Sequence, residues 1–207
     1  MESIVYNQDC MIGMSRYPDK YFDLAIVDPE YGIDAGNMQM GKGKNKLWVK
    51  KDWDKVRFKN WCFIEILRVS KNVIIWGGNY FDFLPITGGW IFWDKDRQKD
   101  ISFSDGELAW TNFLNIIKKI TVRYDGFIGS DGDKIHPTQK PVKLYRKILS
   151  QYASIGYKIL DTHLGSGSSR IAAHDLGYDF TGFEIDKDYF EAAEKRYQNH
   201  IKQLKMF

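Results

Sequence analysis

Three short apolar runs, Phe22 to Val27, Asn72 to Trp76 and Tyr157 to Leu160, lack the polar–apolar alternation of a half-wet strand and are bounded by turn-forming residues. Continuous apolar stretches of this length suit strands covered on both faces, as in a parallel sheet. A fourth strand is expected over Asp179 to Ile185, after a helical segment from Ser168 to Leu176. Helical spacing marks Leu144, Ile148, Leu149 and Tyr152, and again Tyr189, Ala193, Tyr197, Ile201 and Leu204. Strands alternating with helices predict an α/β sandwich, with a mostly parallel central sheet and helices on both faces. Ligands of such sheets lie beyond the carboxyl ends of the strands, so the residues after each strand carry the functional question.

Composition narrows the class. A chain of 207 residues, 43% hydrophobic and 15% aromatic, has ample material for a core and fits one domain spanning 1–207. A net charge of +3 by itself says nothing about nucleic acid. Two cysteines, Cys10 and Cys62, make no disulfide scaffold and fit a reducing, cytoplasmic compartment. No apolar run approaches the roughly 18–20 residues of a membrane span, so no membrane association is expected.

The charge is unevenly placed. Between positions 41 and 60 stand Lys42, Lys44, Lys46, Lys50, Lys51, Lys55, Arg57 and Lys59 against only Asp52 and Asp54. With Gly32, Gly36, Gly41 and Gly43 also present, a mobile basic loop is expected over 33–59. Its cations are either merely solvated or aimed at phosphates.

Three segments after strands carry candidate chemistry. Asp161-Thr162-His163-Leu164-Gly165-Ser166-Gly167-Ser168 follows a strand and leads into a helix, a device that brings backbone N–H groups close to a nucleotide-like ligand. The next strand ends at Glu184, 17 residues beyond Gly167, where a carboxylate can accept from ribose hydroxyls. The alternative is a structural turn with a capping acid, and Arg170 stands where a full dinucleotide fingerprint has its third glycine. Asp28-Pro29-Glu30-Tyr31-Gly32 closes another strand with a carboxylate, a main-chain carbonyl and an aromatic ring that can accept from an amine and stack on a flat ring. Read alone, it is an ordinary strand exit. His136-Pro137-Thr138-Gln139-Lys140-Pro141 precedes a helix whose first turn suits Pro141.

Taken together, these segments resemble the amino-methyltransferase family of DNA methylases. The family's catalytic signature D/N/S-P-P-Y/F/W is similar to Asp28-Pro29-Glu30-Tyr31, its cofactor loop D-P-F-x-G-S-G-T/S to Asp161 through Ser168, and its H-P-T-Q-K-P is identical to 136–141. The catalytic motif comes first and the cofactor loop last, which resembles the permuted β class. Val73 to Gly78, Gly89 to Lys95, Glu107 to Trp110 and Asn7 to Cys10 resemble further pieces of that class.

The resemblance implies a Rossmann-like methyltransferase fold and S-adenosylmethionine as cofactor. It implies that Asp161, Gly165, Ser166 and Gly167 hold the cofactor's methionine end and Glu184 its ribose, while His136, Thr138 and Lys140 approach its carboxylate and amine. Asp28 and Pro29 would receive the target amine and Tyr31 would stack on a flipped base. The leading Asp resembles adenine-directed members more than cytosine-directed ones. DNA is the implied partner, with Lys42, Lys44, Lys46, Lys50 and Lys51 on its phosphates. Neither cysteine sits in a Pro-Cys pair, which excludes cytosine ring-carbon methylation. No metal site is expected, because the four histidines and two cysteines show no ligand spacing; His163 and His174 are assigned to packing or surface.

Two departures stand out. Glu30 replaces the second proline of the catalytic signature and removes a backbone restraint on Pro29, which leaves open a slower enzyme or a catalytically dead DNA- or cofactor-binding partner; for an active enzyme, Glu30→Pro is expected to raise methyl transfer severalfold. Thr162 and His163 replace the Pro-Phe of the cofactor loop. Only 25 residues separate Trp110 from His136, too few for a large target-recognition domain. Sequence readout therefore falls to short loops, a homodimer mate or a separate specificity protein.

Overall fold

The computed structural model describes residues 1–35, 51–97, 104–124 and 134–204. Eight strands form one sheet: β1 (Ser3–Asn7), β2 (Phe22–Val27), β3 (Ser70–Trp76), β4 (Trp90–Asp94), β5 (Gly106–Thr111), β6 (Lys118–Thr121), β7 (Lys158–Asp161) and β8 (Asp179–Glu184). Their order is β1-β8-β7-β2-β3-β5-β4-β6, and only β5 runs against its neighbours. Among the described residues five α-helices accompany them, α1 (Cys10–Met14), α2 (Asn60–Val69), α3 (Val142–Tyr152), α4 (Ser168–Asp175) and α5 (Lys187–Leu204), with a short 3-10 turn at Gly78–Tyr80.

The apolar runs behave as expected of doubly covered strands. On β2 and β3, Leu24, Ile26, Ile74 and Trp76 face one layer, with Leu144 and Ile148 of α3, Ile171 and Ala172 of α4, and Ala193 and Tyr197 of α5. Ala25, Val27, Val73 and Ile75 face the other, with Met14 of α1 and Cys62, Phe63 and Ile66 of α2. Burial on both faces is what removes the alternation from these runs. The predicted mostly parallel sheet with helices on both faces is the observed one.

Boundaries move by a residue or two. The strand expected from Asn72, β3, begins at Ser70, because α2 runs directly into it, and the one expected from Tyr157, β7, is shifted to Lys158–Asp161. Pro141 is the N-cap of α3 (φ −72°, ψ 145°), one position before the expected first turn. Asp186 caps α5, its Oδ1 accepting from the N–H groups of Asp188 at 3.0 Å and Tyr189 at 3.1 Å. Among the described residues, no helix is long and apolar enough to cross a membrane.

The chain order places the site. From β2 the chain moves outward through α2 to β3; from β7 it moves the opposite way through α4 to β8. β2 and β7 are nevertheless hydrogen-bonded neighbours, with Leu24 opposite Ile159 and Ala25 opposite Leu160. Because both crossovers turn the same way in opposite directions, α2 and α4 land on opposite faces. A crevice therefore opens beyond the carboxyl ends of β2 and β7, the switch point of the sheet.

Candidate active site

The residues that follow β2 and β7 line one cavity of about 1070 Å³. Asp28, Pro29, Glu30 and Tyr31 enter it from β2; His163, Gly165 and Ser166 from β7; Glu184 from β8; and His136, Thr138 and Lys140 from the segment before α3. Segments more than a hundred residues apart in the chain thus share one space.

At the β2 end, Tyr31 donates its hydroxyl hydrogen to Asp28 Oδ1 at 2.6 Å, and Lys140 Nζ donates to the same oxygen at 2.5 Å. Among the described residues these bonds fall on Oδ1, so Oδ2 keeps its lone pairs for another donor. Lys140 also meets Glu107 Oε2 at 3.1 Å, and Glu107 in turn meets Lys95 at 2.6 Å. Burial pushes the Lys140 ammonium down, but the charges of Asp28 and Glu107 outweigh it and hold its pKa above the ordinary lysine value. For Glu107, burial pushes up and the Lys140 and Lys95 charges win, pulling it to about 2. The Tyr31 ring stacks on Tyr80 with centroids 5.0 Å apart and planes 11° off parallel. Gly77 is obligatory beneath it, since a Cβ there would lie 2.2 Å from the ring.

The loop carrying these groups is pinned by an acid that pattern reading passed over. Asp54, 2% exposed, accepts from the backbone N–H groups of Gly32 (2.9 Å), Ile33 (3.2 Å) and Ala35 (2.8 Å). Of the loop expected over 33–59, residues 36–50 lie outside the described residues; at its ends Asp54 accepts from the backbone at 33 and 35, and Phe58 buries its ring and donates its N–H to the Glu30 carbonyl at 3.0 Å. Lys42, Lys44, Lys46 and Lys50 lie outside the described residues. Lys51 is paired with carboxylates, with Nζ 2.6 Å from Asp186 and 2.8 Å from Asp188.

At the β7 end, Gly165 (φ 50°) and Gly167 (φ 69°) adopt the left-handed conformation that side chains disfavour. A Cβ on Gly165 would stand 3.8 Å from the His136 ring, so the turn and the 136–141 segment face each other. Burial, then the charges of Lys134 and Lys140, lower His136 to about 3 and keep it neutral. Thr138 Oγ1 lies 3.1 Å from His136 Nδ1. Glu184 accepts from Gly165 N–H at 2.8 Å and Asp186 N–H at 2.9 Å, which fixes its carboxylate at the cavity wall with lone pairs to spare.

Some expected residues stand elsewhere. Asp161 is 2% exposed and accepts from Ser169 Oγ at 2.5 Å and His163 N–H at 3.0 Å, so it shapes the turn from beneath. Gly167 is the N-cap of α4 and, unlike Gly165 and Ser166, does not line the cavity. Ser166 Oγ lies 3.1 Å from Ser168 Oγ. Lys140 has its ammonium on Asp28, the acceptor end of the cavity. His163, assigned to packing or surface from the sequence, lines the cavity, with Nε2 3.4 Å from Glu30 Oε2. Among the described residues, no group of three or more His, Cys, Asp or Glu side chains could hold a metal ion.

Residues 6–195 match the sequence profile of a family described as DNA methylase. The chain is 40% identical to the Type II methyltransferase M2.DpnII of Streptococcus pneumoniae, covering 93% of this chain and 88% of the relative. It is 23% identical to M2.LlaDCHI of Lactococcus lactis subsp. cremoris, over 94% and 88%. In fold it resembles the crystal structure of the M1.HpyAVI–SAM complex, with TM-score 0.63, 21% identity and coverage of 95% of this chain and 100% of that one. It also resembles the PvuII cytosine-N4-specific DNA methyltransferase, with TM-score 0.59, 12% identity and coverage of 98% and 92%.

Proposed function

The chain belongs to the DNA methylase family, and we propose that it transfers a methyl group from S-adenosylmethionine to the exocyclic amine of adenine in DNA. The observation that carries this reading is the shared cavity: the Asp28 carboxylate and the glycine turn at 165–167 meet at the switch point between β2 and β7. All eight strands belong to one sheet, which supports a single catalytic domain.

The residues fit the cofactor. The left-handed Gly165 leaves the turn without a side chain where a ligand would approach, and the Glu184 carboxylate beside it suits ribose hydroxyls. His136, neutral and facing the turn, forms the opposite wall with Thr138. When bound, the cofactor supplies an electrophilic methyl on a sulfonium.

The chain's own work is at the acceptor. An exocyclic amine is a poor nucleophile because its lone pair is conjugated into the ring. Asp28 Oδ2 and the Pro29 carbonyl can each accept one N–H bond, which favours a pyramidal nitrogen with its lone pair turned toward the methyl. Positioning of this kind is worth up to about 7–11 kcal/mol. The Asp28 carboxylate, bonded by Lys140 and Tyr31 through Oδ1, can take the proton that the methylated nitrogen sheds. Unstacking the base from a duplex costs a few kcal/mol, offset in part by stacking against the Tyr31 and Tyr80 pair.

Adenine is favoured by the leading Asp28; cytosine-N4 is the second reading, since its amine sits beside a ring nitrogen in the same way. DNA incubated with the chain and methyl-labelled S-adenosylmethionine, then digested to nucleosides, separates them. N6-methyladenine is expected, N4-methylcytosine would favour the second reading, and unlabelled DNA would overturn both.

A further inference from the structure

The two places where this chain departs from the family's signatures touch each other. Glu30 stands where the catalytic motif has its second proline, and His163 where the cofactor loop has phenylalanine. Their side chains meet across the crevice, Oε2 to Nε2 at 3.4 Å, with 28% and 18% of their side-chain surfaces exposed.

We propose that Glu30 and His163 form a positioning pair that ties the acceptor loop to the cofactor turn, each residue working only in the presence of the other. The proposal deepens the methyl-transfer reading above and rests on it for its rate measurement.

The backbone argument is direct. The Pro29 carbonyl belongs to the peptide that joins Pro29 to Glu30, so whatever restrains residue 30 aims that carbonyl. A proline at position 30 would restrain it by excluding helical ψ at Pro29. Glutamate imposes no such backbone limit, and the restraint passes to its side chain. The far end of that tether is fixed. His163 Nδ1 lies 2.8 Å from Thr162 Oγ1, the His163 N–H donates to Asp161 at 3.0 Å, and the Phe58 ring packs edge-on against the imidazole at 5.7 Å. Phe58 also grips Glu30 from the main chain, donating to its carbonyl at 3.0 Å. A phenylalanine at 163 would leave Glu30 a half-buried carboxylate without its charge partner; a proline at 30 would leave His163 Nε2 without its acceptor.

Electrostatics agree. Burial disfavours a charged His163, but the Glu30 carboxylate reverses this and raises the imidazole to about 10. Burial raises Glu30, and the His163 charge brings it below the usual carboxylate range. The other titratable groups facing His163 are Cys10 of α1, Asp161 at the end of β7 and Glu184 at the end of β8.

The pairing alters the expectation for Glu30→Pro: alone it strands His163, and restoration needs both substitutions. The test compares wild type, Glu30→Pro, His163→Phe and the double variant by single-turnover methyl transfer, calorimetric S-adenosylmethionine binding and thermal melting. Each single change is expected to slow transfer about tenfold or more, with cofactor affinity within about threefold, and the double variant to return within about threefold of wild type. Effects that simply multiply, or a faster Glu30→Pro single variant, overturn the pair. Glu30→Gln with nitrogen-15 NMR of His163 supplies a readout that needs no methyl transfer and no large change of shape. The His163 titration is expected to fall from near 10 toward its ordinary value, and an unchanged titration overturns the proposal. Wild type that transfers no methyl to any DNA overturns the proposed function alone, and the NMR result still decides the pair.

Discussion

Lys140 Nζ lies 2.5 Å from Asp28 Oδ1, joining a residue at the end of β2 to one 112 positions later in the chain. The contact explains why a lysine is needed in the 136–141 segment of this protein. It compensates two acids at once, Asp28 and Glu107, in a place where only 4% of its own side-chain surface is exposed. The same ammonium lies 5.2 Å from the Trp76 ring centroid, so the cation rests on aromatic ground as well as between carboxylates.

Lys140→Met removes that cation, leaving the partly buried Asp28 without its charge partner and Glu107 with Lys95 alone. Breaking such a pair costs about 3–5 kcal/mol, and the lower end applies because Asp28 and Glu107 keep some contact with water. Urea denaturation is expected to show a loss of about 3 kcal/mol, with methyl transfer down by about a hundredfold or more. A variant of wild-type stability and rate would remove Lys140 from the account.

Asp54→Ala takes the acceptor from three backbone N–H groups at positions 32, 33 and 35. Bonds to a charged acceptor are worth about 1.5–3 kcal/mol singly and add incompletely, so a total loss of about 2–4 kcal/mol is expected. Transfer should slow more than cofactor binding weakens, because the loop that moves carries Asp28 and Tyr31. Chemical denaturation and calorimetric titration of S-adenosylmethionine measure the two effects separately.

Gly165→Ala makes ordinary contact with the His136 ring at 3.8 Å rather than a clash, but it places a side chain at φ 50°. The backbone penalty is about 1–2 kcal/mol, and the new methyl faces the cofactor's approach. We expect S-adenosylmethionine affinity to fall at least about tenfold while the variant keeps a cooperative melt. Undiminished affinity would move the cofactor away from this turn.

Protonation of His163 links the site to stability. Its folded pKa, about 10, is raised above the ordinary 6.5, so its contribution is fully present below pH 6.5 and is lost as pH rises through 10. Wild type is therefore expected to lose stability between pH 6.5 and 10 more steeply than Glu30→Gln, in which the raised value is abolished. Denaturant midpoints of the two proteins across this window give the slopes, and parallel slopes would sever the link.

Much of this was legible along the chain, for identifiable reasons. In the strands at 22–27 and 158–161, Leu24 to Val27 and Ile159 and Leu160 run apolar without alternation because helices cover both faces, and that pattern survives translation into three dimensions. The glycine turn was visible because left-handed backbone demands glycine. Asp54 was hidden because its partners are backbone amides, which leave no mark on side-chain pattern. The Glu30–His163 contact was hidden differently. Each residue appeared as an isolated departure, and only the adjacency of β2 and β7 shows that the two meet. α1 and the strands β1 and β6 are too short to print a periodicity of their own.

The most direct measurement is single-turnover methyl transfer to DNA by wild type and Asp28→Ala, with S-adenosylmethionine affinity determined for both. The account predicts that wild type marks adenine, and that Asp28→Ala binds the cofactor within a few fold yet transfers about a hundredfold more slowly or worse. An Asp28→Ala protein that methylates DNA at the wild-type rate would contradict it.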